Sequence, residues 1–206
     1  WPILRRFGVK RVRLASYQAV SGAGREALSE FYAQTASAAR AMRGGEPFPR
    51  LAGGGSRAFP ERLACNVFPR VGEFHPGGEC SEEIKVRQEL RRLWGRPRLA
   101  VSATTVRVPV IRGHSLAVWL ETETRAELGE VRALWSRSPG VRHWPGVSFP
   151  TAASTAATDP VHVGRLRWSQ AAPRELAFWA VSDNLLKGAA LNSIQIAETI
   201  LRRGWL

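Results

Sequence analysis

Along residues 9–20 (VKRVRLASYQAV) apolar and polar positions alternate, the two-residue period of a half-buried strand. Over 25–43 the rhythm becomes helical, with small apolar residues. Residues 44–62 (GGEPFPRLAGGGSRAFPER) are rich in Gly and Pro and read as a long loop, of a length that hints at function or an exposed excursion. A short apolar strand is expected within 63–71 (LACNVFPRV), ending at Pro69. Ser81, Glu82 and Glu83 mark a helix start. Lys85, Arg87, Arg91 and Arg92 follow toward its end, and Gly95 stops it, a charge order that suits the helix dipole. Strands are expected over 100–111 (AVSATTVRVPVI) and in SLAVWLETE, with Arg112-Gly113-His114 between them. A helix over 126–137 closes at Pro139-Gly140. After a loop with Trp144, Pro145 and Pro150, two more strands follow, PVHVGRLRW and ELAFWAVSD. The last element is a helix, NLLKGAALNSIQIAETILRR, on which Leu186, Ala190, Ile194, Ala197 and Leu201 share a face, with Gly204 as its C-cap. The order strand, helix, strand, helix, hairpin, helix, hairpin, helix predicts an α+β fold: a mixed, largely antiparallel sheet with helices packed on one face.

With 206 residues and 44% hydrophobic content, the chain can bury a sizeable core. No apolar run approaches the length of a transmembrane helix and no signal peptide is expected, so no membrane partner is expected; two cysteines without a disulfide framework make a reducing, cytoplasmic setting the expected one. The chain opens on Trp1-Pro2 and its only methionine is Met42, which reads as a piece of a longer protein. The formal charge of +13 raises the question of nucleic acid. However, the excess is mostly arginine, is scattered, and has no run of like charge beyond Arg5-Arg6, Arg91-Arg92 and Arg202-Arg203. No nucleic-acid motif accompanies it, so no nucleic-acid partner is expected. Cys65 and Cys80 make no disulfide framework, and no Cys/His spacing suits zinc, so no metal is expected. Cys65 reads as a small core residue.

The turn Gly22-Ala23-Gly24-Arg25-Glu26-Ala27 carries the G-x-G-x-x-A pattern of a dinucleotide-binding fingerprint. That fingerprint also needs a second apolar strand delivering an acid to a ribose. Glu46 has nearly the right spacing, but Gly45 and Pro47 flank it and no strand delivers it. A Gly-rich strand-to-helix turn is the better local description.

Six stretches in order, SYQAVSGAG (16–24), CNVFPRVG (65–72), SEEIKVRQELRRLWG (81–95), VSATTVRVPVIRGHS (101–115), TDPVHVGRLR (158–167) and VSDNLLKGAALNSIQIAE (181–198), resemble the aspartate-semialdehyde dehydrogenase family. Their spacing is similar to that family's C-terminal catalytic and dimerisation domain, over essentially all of residues 1–206. The resemblance implies the fold of the C-terminal domain of glyceraldehyde-3-phosphate-dehydrogenase-like enzymes, and a homodimer or other homo-oligomer. It implies NADP as cofactor, on an N-terminal domain that would lie upstream of Trp1, together with the nucleophilic cysteine. The implied reaction is NADPH-dependent reductive dephosphorylation of L-4-aspartyl phosphate to the semialdehyde, in lysine, threonine and methionine biosynthesis.

His114, after Arg112-Gly113, is placed at a sheet end, where an imidazole near its ordinary pKa suits proton shuttling; the resemblance makes it the acid/base. Arg107 in its β-run has the planar fork that clamps a carboxylate; the resemblance makes it the substrate-carboxylate ligand. Seven residues separate the two, so a regular strand would put them on opposite faces, and Pro109 or Gly113 would have to bend the chain. Glu82 and Lys85 share a helix face, which by itself describes a solvated ion pair. The resemblance makes Glu82 a contact to the substrate amine and Lys85 a phosphate ligand. Gln18 matches the family's active-site glutamine, with catalytic and substrate-binding roles. Ser21 and Gly22 match a segment beside the nicotinamide of NADP, and Asn184 matches another cofactor contact, its alternative being a helix N-cap. Cys80 precedes a helix with His75 nearby, but it falls in a variable loop of the family. His75, His143 and His162 read as structural or exposed. A non-catalytic homologue used for assembly, and a related acyl-phosphate reductase, are the alternative readings.

Overall fold

The computed structural model describes residues 1–45 and 56–205. Glu46, and with it the tested ribose-binding acid, lies outside the described residues. The chain begins with helix α1 (Pro2–Phe7), which has Pro2 in the first turn, where no backbone donor is needed. Strand β1 (Arg11–Gln18) leads through a 3-10 turn (Val20–Ala23) into α2 (Arg25–Arg43). Then come α3 (Ser81–Leu93), β2 (Ala100–Arg107), β3 (His114–Glu121) and α4 (Leu128–Arg137). The short elements β4 (Val141–His143) and α5 (Ala152–Thr155) precede β5 (Val161–Trp168) and β6 (Glu175–Ser182). A π-helical turn (Leu186–Ala190) opens the last helix, α6 (Leu191–Arg202).

The six strands form one mixed sheet in the order β2-β1-β3-β6-β5-β4. Strands β5 and β6 make the expected hairpin. Strands β2 and β3 do not, because β1 lies between them, parallel to β2 and antiparallel to β3. Residues 108–113 instead cross over the end of β1. Val108 N donates to Gln18 O, while Val20 N and Ser21 N donate to the carbonyls of Val110 and Ile111. Alternation along a strand specifies which face is buried and leaves its neighbour open. The expected strand within 63–71 is also absent as a ladder: only Phe68 bridges, to Arg107. Three hydrophobic side chains there, Leu63, Ala64 and Phe68, join Phe59, Val20 and the α2 residues Ala27 and Phe31 in a second small core. Cys65 is not in it. Its side chain is exposed and its φ is 61°, the chain turning outward just after the buried Leu63 and Ala64.

The main core lies on the helical face of the sheet. There Val12, Val118, Leu120, Leu176 and Ala180 pack with Ile3, Leu4 and Phe7 of α1 and with Val131 and Trp135 of α4. Burial of this kind, roughly 25 cal/mol per Å² of apolar surface, is the main force holding helices to sheet. Arg13, Tyr17, Trp119 and Trp179 belong to the opposite face by register. The rings of Tyr17 and Trp179 lie 5.4 Å apart, beside a cavity of about 960 Å³ that Val147 and Phe149 also line. The apolar face expected on the last helix does not meet this core. Ile194 and Leu201 are exposed, at 57% and 68%. No described helix is long and apolar enough to cross a membrane.

Candidate active site

Because β1 and β2 run parallel in register, Gln18 and Arg107 stand side by side at their carboxyl ends. Because β3 runs the other way, its first residue, His114, arrives at the same edge. The parity objection to Arg107 and His114 converging fails for a simple reason: residues 108–113 are not strand. Gly113, at φ 94°, makes the final bend, and a methyl group there would come within 3.1 Å of Ala152.

One residue joins the two side chains. Ala19 accepts a hydrogen bond from Arg107 Nη1 at 2.6 Å through its carbonyl. Its N–H donates to His114 Nδ1 at 3.1 Å. A ring whose Nδ1 accepts must, when neutral, carry its proton on Nε2. Gly22 closes the arrangement. A methyl group at that position would sit 3.3 Å from His114 Cε1 and Nε2 and 3.6 Å from Arg107 Nη1. A side chain there would crowd that nitrogen, which the glycine leaves open.

His114 does not keep its ordinary pKa. Burial first, and then the Arg107 charge, lower it from 6.5 to about 4, while Glu82 and Asp183 pull the other way. At neutral pH the ring is therefore uncharged and its Nε2–H is a donor. Burial likewise lowers the pKa of Arg107, opposed by Glu82, and the guanidinium remains a cation. Arg107 also lies 5.9 Å from the centre of the Phe59 ring. Beside it a cavity of about 380 Å³ opens among Phe59, Phe68, Arg57, Arg70 and Ala23.

From the helix side, Glu82 Oε1 accepts from Gln18 Nε2 at 3.3 Å, and Gln18 Nε2 also lies 3.3 Å from Ser16 Oγ. Lys85 Nζ pairs with Glu82 Oε2 at 3.4 Å, in a half-exposed i,i+3 contact. The ion pair expected from spacing alone is thus present. Among the described residues Glu82 is the hydrogen-bond and ion-pair partner of Lys85, through which it reaches the cluster.

Ser21 and Asn184 meet each other. Asn184 Nδ2 donates to Ser21 Oγ at 2.9 Å, and Asn184 Oδ1 accepts from Gly113 N at 2.8 Å. Asn184 is not a helix cap. The N-cap position is Leu185, and Asp183 supports the turn before it, accepting from Leu185 N and Leu186 N. An amide and a hydroxyl beside an open glycine form a donor and acceptor set that suits the carboxamide end of a nicotinamide.

Sequence reasoning missed Ala19, Glu83 and Asp183. Ala19 acts only through its backbone, so no motif could mark it. Glu83 is buried and holds α3 onto β2, accepting from Thr105 N at 3.0 Å and Cys80 N at 2.9 Å. The run Ser81-Glu82-Glu83 was its signal, read only as a favourable charge at a helix start. Cys80 is buried, with its sulfur 3.0 Å from Thr105 Oγ1, and His75 bonds instead with Ser81 Oγ. His162 is buried and satisfied, its Nδ1 accepting from Trp144 Nε1 and its Nε2 meeting Thr158 Oγ1. Among the described residues no group of three or more His, Cys, Asp or Glu side chains could hold a metal ion.

The family model for the semialdehyde dehydrogenase dimerisation domain matches residues 1–187. The aspartate-semialdehyde dehydrogenase of Shewanella violacea is 39% identical over 203 residues, 98% of this chain and 57% of that protein. The enzyme of the same name from Legionella pneumophila is 38% identical over 209 residues, again 57% of its length. Among solved structures, aspartate semialdehyde dehydrogenase II of Vibrio cholerae, complexed with ASA, superposes with a TM-score of 0.89 at 33% identity, covering 98% of this chain and 57% of that one. The Candida albicans enzyme, solved with NADP, shares the fold at 17% identity and a TM-score of 0.67, covering 100% of this chain and 54% of that one. The chain thus spans about 57% of the length of the curated relatives it matches. With a family model across most of its length and relatives of one name along nearly all of it, the chain belongs to the semialdehyde dehydrogenase family, within that family's dimerisation domain.

Proposed function

We propose that this chain is the substrate- and proton-handling part of an aspartate-semialdehyde dehydrogenase, completed by a preceding segment that brings the nucleophilic thiol and the dinucleotide-binding domain. The observation behind this reading is the placement of Arg107 and His114 on the two backbone groups of Ala19, with Gln18 and Glu82 beside them. The reaction is reductive dephosphorylation of L-4-aspartyl phosphate. A thiolate displaces phosphate from the acyl phosphate and forms a thioester. Hydride and a proton convert its carbonyl to a hemithioacetal, which expels the thiol and leaves the aldehyde.

Arg107 spends one N–H on Ala19 O and offers the rest to the substrate carboxylate, in a buried setting where a charge-assisted pair is strong. Glu82, held by Gln18, receives the substrate ammonium. His114 enters as the neutral ring with its proton on Nε2. It donates to the oxygen that gains charge as the thioester is reduced, and recovers the proton when the hemithioacetal collapses. Lys85 exchanges its Glu82 partner for the phosphate. Bound NADPH supplies the hydride; Ser21, Gly22 and Asn184 would hold its nicotinamide end. We assign self-association as a homodimer to the sheet face that bears Tyr17 and Trp179, and the cytoplasm as the compartment.

The test joins this chain to the N-terminal part of the Shewanella violacea relative. Phosphate-dependent reduction of NADP by aspartate semialdehyde is expected, read by absorbance. His114→Ala should lower turnover by ~10²–10⁴-fold. A folded chimera with no turnover, or a His114→Ala variant near full rate, would overturn the assignment.

A further inference from the structure

Asp183 is completely buried, yet it is a carboxylate with no part in the chemistry above. Its contacts tie together three pieces of chain. Oδ1 accepts from Leu185 N at 2.9 Å and Leu186 N at 3.3 Å, fixing the start of the C-terminal π-helical turn. Oδ2 accepts from Ala157 N at 2.7 Å, fixing the segment just after α5. Ala157 adopts a φ of 60°, which a non-glycine residue holds only when something holds it there. Oδ2 also lies 2.6 Å from Arg112 Nε, an ion pair by proximity in which the Nε–H is not aimed at the oxygen. Arg112 stands two residues before His114, and Asn184, next to Asp183, takes the amide hydrogen of Gly113. The segment that delivers His114 is thus gripped on one side by Asp183 and Asn184. On the other it is gripped by the 3-10 turn, through Val20 N and Ser21 N.

We infer that Asp183 is a positioning residue for His114. Through Arg112 it fixes the 108–113 crossover, so that the imidazole meets the Ala19 amide with Nδ1 and presents Nε2 beside Gly22. A buried ion pair is a poor source of net stability but a strong specifier of geometry, because breaking it strands a charge. Burial alone would raise the pKa of Asp183. The amides of Ala157 and Leu185, together with Arg112, hold it below its ordinary value, so the carboxylate is charged wherever the protein is folded at neutral pH. The ionisable groups that act on His114 are Arg107, Glu82 and Asp183 itself.

This inference rests on His114 being the proton-handling group, and its test is independent of turnover. The ring nitrogens of His114 are followed by NMR through a pH titration of the ¹⁵N-labelled chain, alongside Asp183→Asn, Arg112→Gln and Glu175→Gln. Glu175 is an equally buried acid at the other end of β6, paired with Arg13. If Asp183 positions His114, Asp183→Asn and Arg112→Gln release the ring from the Ala19 amide. Its titration midpoint then rises from about 4 toward 6.5, and a second tautomer appears. Glu175→Gln leaves both unchanged. In Asp183→Asn a purely electrostatic role has the opposite sign: losing a nearby negative charge lowers the midpoint and keeps the tautomer, and that result overturns the inference. So does an unchanged ring in both variants, or an equal shift in Glu175→Gln. Should Asp183→Asn fail to fold, Arg112→Gln, at a partly exposed residue, decides by the tautomer, because loss of its positive charge raises the midpoint by itself; a single retained tautomer overturns the inference. A chimera that fails the turnover test leaves this titration standing, and the converse also holds.

Discussion

The two sides of the candidate site are built differently. On the sheet side, Arg107 and His114 are fixed by the backbone of one buried alanine, with little freedom left. On the helix side, Glu82 and Lys85 form a half-exposed pair of long side chains at the start of α3. The neighbours Glu82 and Glu83 show the same division within one turn. Glu83 turns inward and latches the helix to β2, while Glu82 faces Gln18 and Lys85. The difference separates what is held before any ligand arrives from what is free to exchange partners. Groups that orient a reacting centre benefit from rigidity, whereas a phosphate ligand that must both capture and release benefits from a partner it can leave.

Acidification should break the comparison most strongly. His114 binds its proton at 6.5 when unfolded and at about 4 when folded. The unfolded state therefore holds more protons between those values, and stability, complete above about pH 6.5, falls as pH drops toward 4. The loss is on the order of 3 kcal/mol at ~1.4 kcal/mol per pH unit. His143 and His162 are shifted in the same direction and add to it. Denaturant unfolding from pH 7 to pH 4 reads the slope, and His114→Asn should flatten it; an unaltered slope contradicts the burial account of His114.

The latch comes next. Glu83→Gln turns an amide NH₂ toward one of the two backbone donors that the carboxylate now satisfies, at a cost of about 1–3 kcal/mol. Urea midpoints check this, and a neutral result would mean that α3 is held by its apolar contacts alone. The smallest effect belongs to the helix side. Lys85→Met should change stability by no more than ~0.5 kcal/mol, as for most exposed ion pairs, while in the chimera it should raise the phosphate concentration needed for half-maximal rate. If the stability loss matched that of Glu83→Gln, the contrast between the two sides would be gone.

Most elements were legible in the sequence because their periods are local. Helix α2 was expected over 25–43 and is found there, and β1, β2, β3, β5 and β6 fall within a few residues of their expected runs, whereas the short β4 was read as loop. The neighbour of each strand was not legible. A period of two says which side chains are buried and nothing about pairing, so the insertion of β1 between β2 and β3 went unread. The last helix shows the converse error, since its shared apolar face is real but meets nothing in this chain's core.

For the site, the sequence by itself determined the inventory. Residues such as Gln18, Glu82, Lys85, Arg107 and His114 stand in stretches whose order resembles one family, and side-chain chemistry limits what each can do. Only the tertiary structure decided which of them meet, in which tautomer and charge state, and what holds them. Ala19 has no functional group beyond its backbone, yet it joins Arg107 to His114. Asp183 reads as one more acid before a helix, yet it ties the turn that follows it to two distant segments, at Ala157 and Arg112, around the His114 turn. The physical reason is that a backbone amide or a buried carboxylate acquires its role from what surrounds it. Those surroundings are set by contacts between residues some 70 to 95 positions apart, which no local pattern encodes.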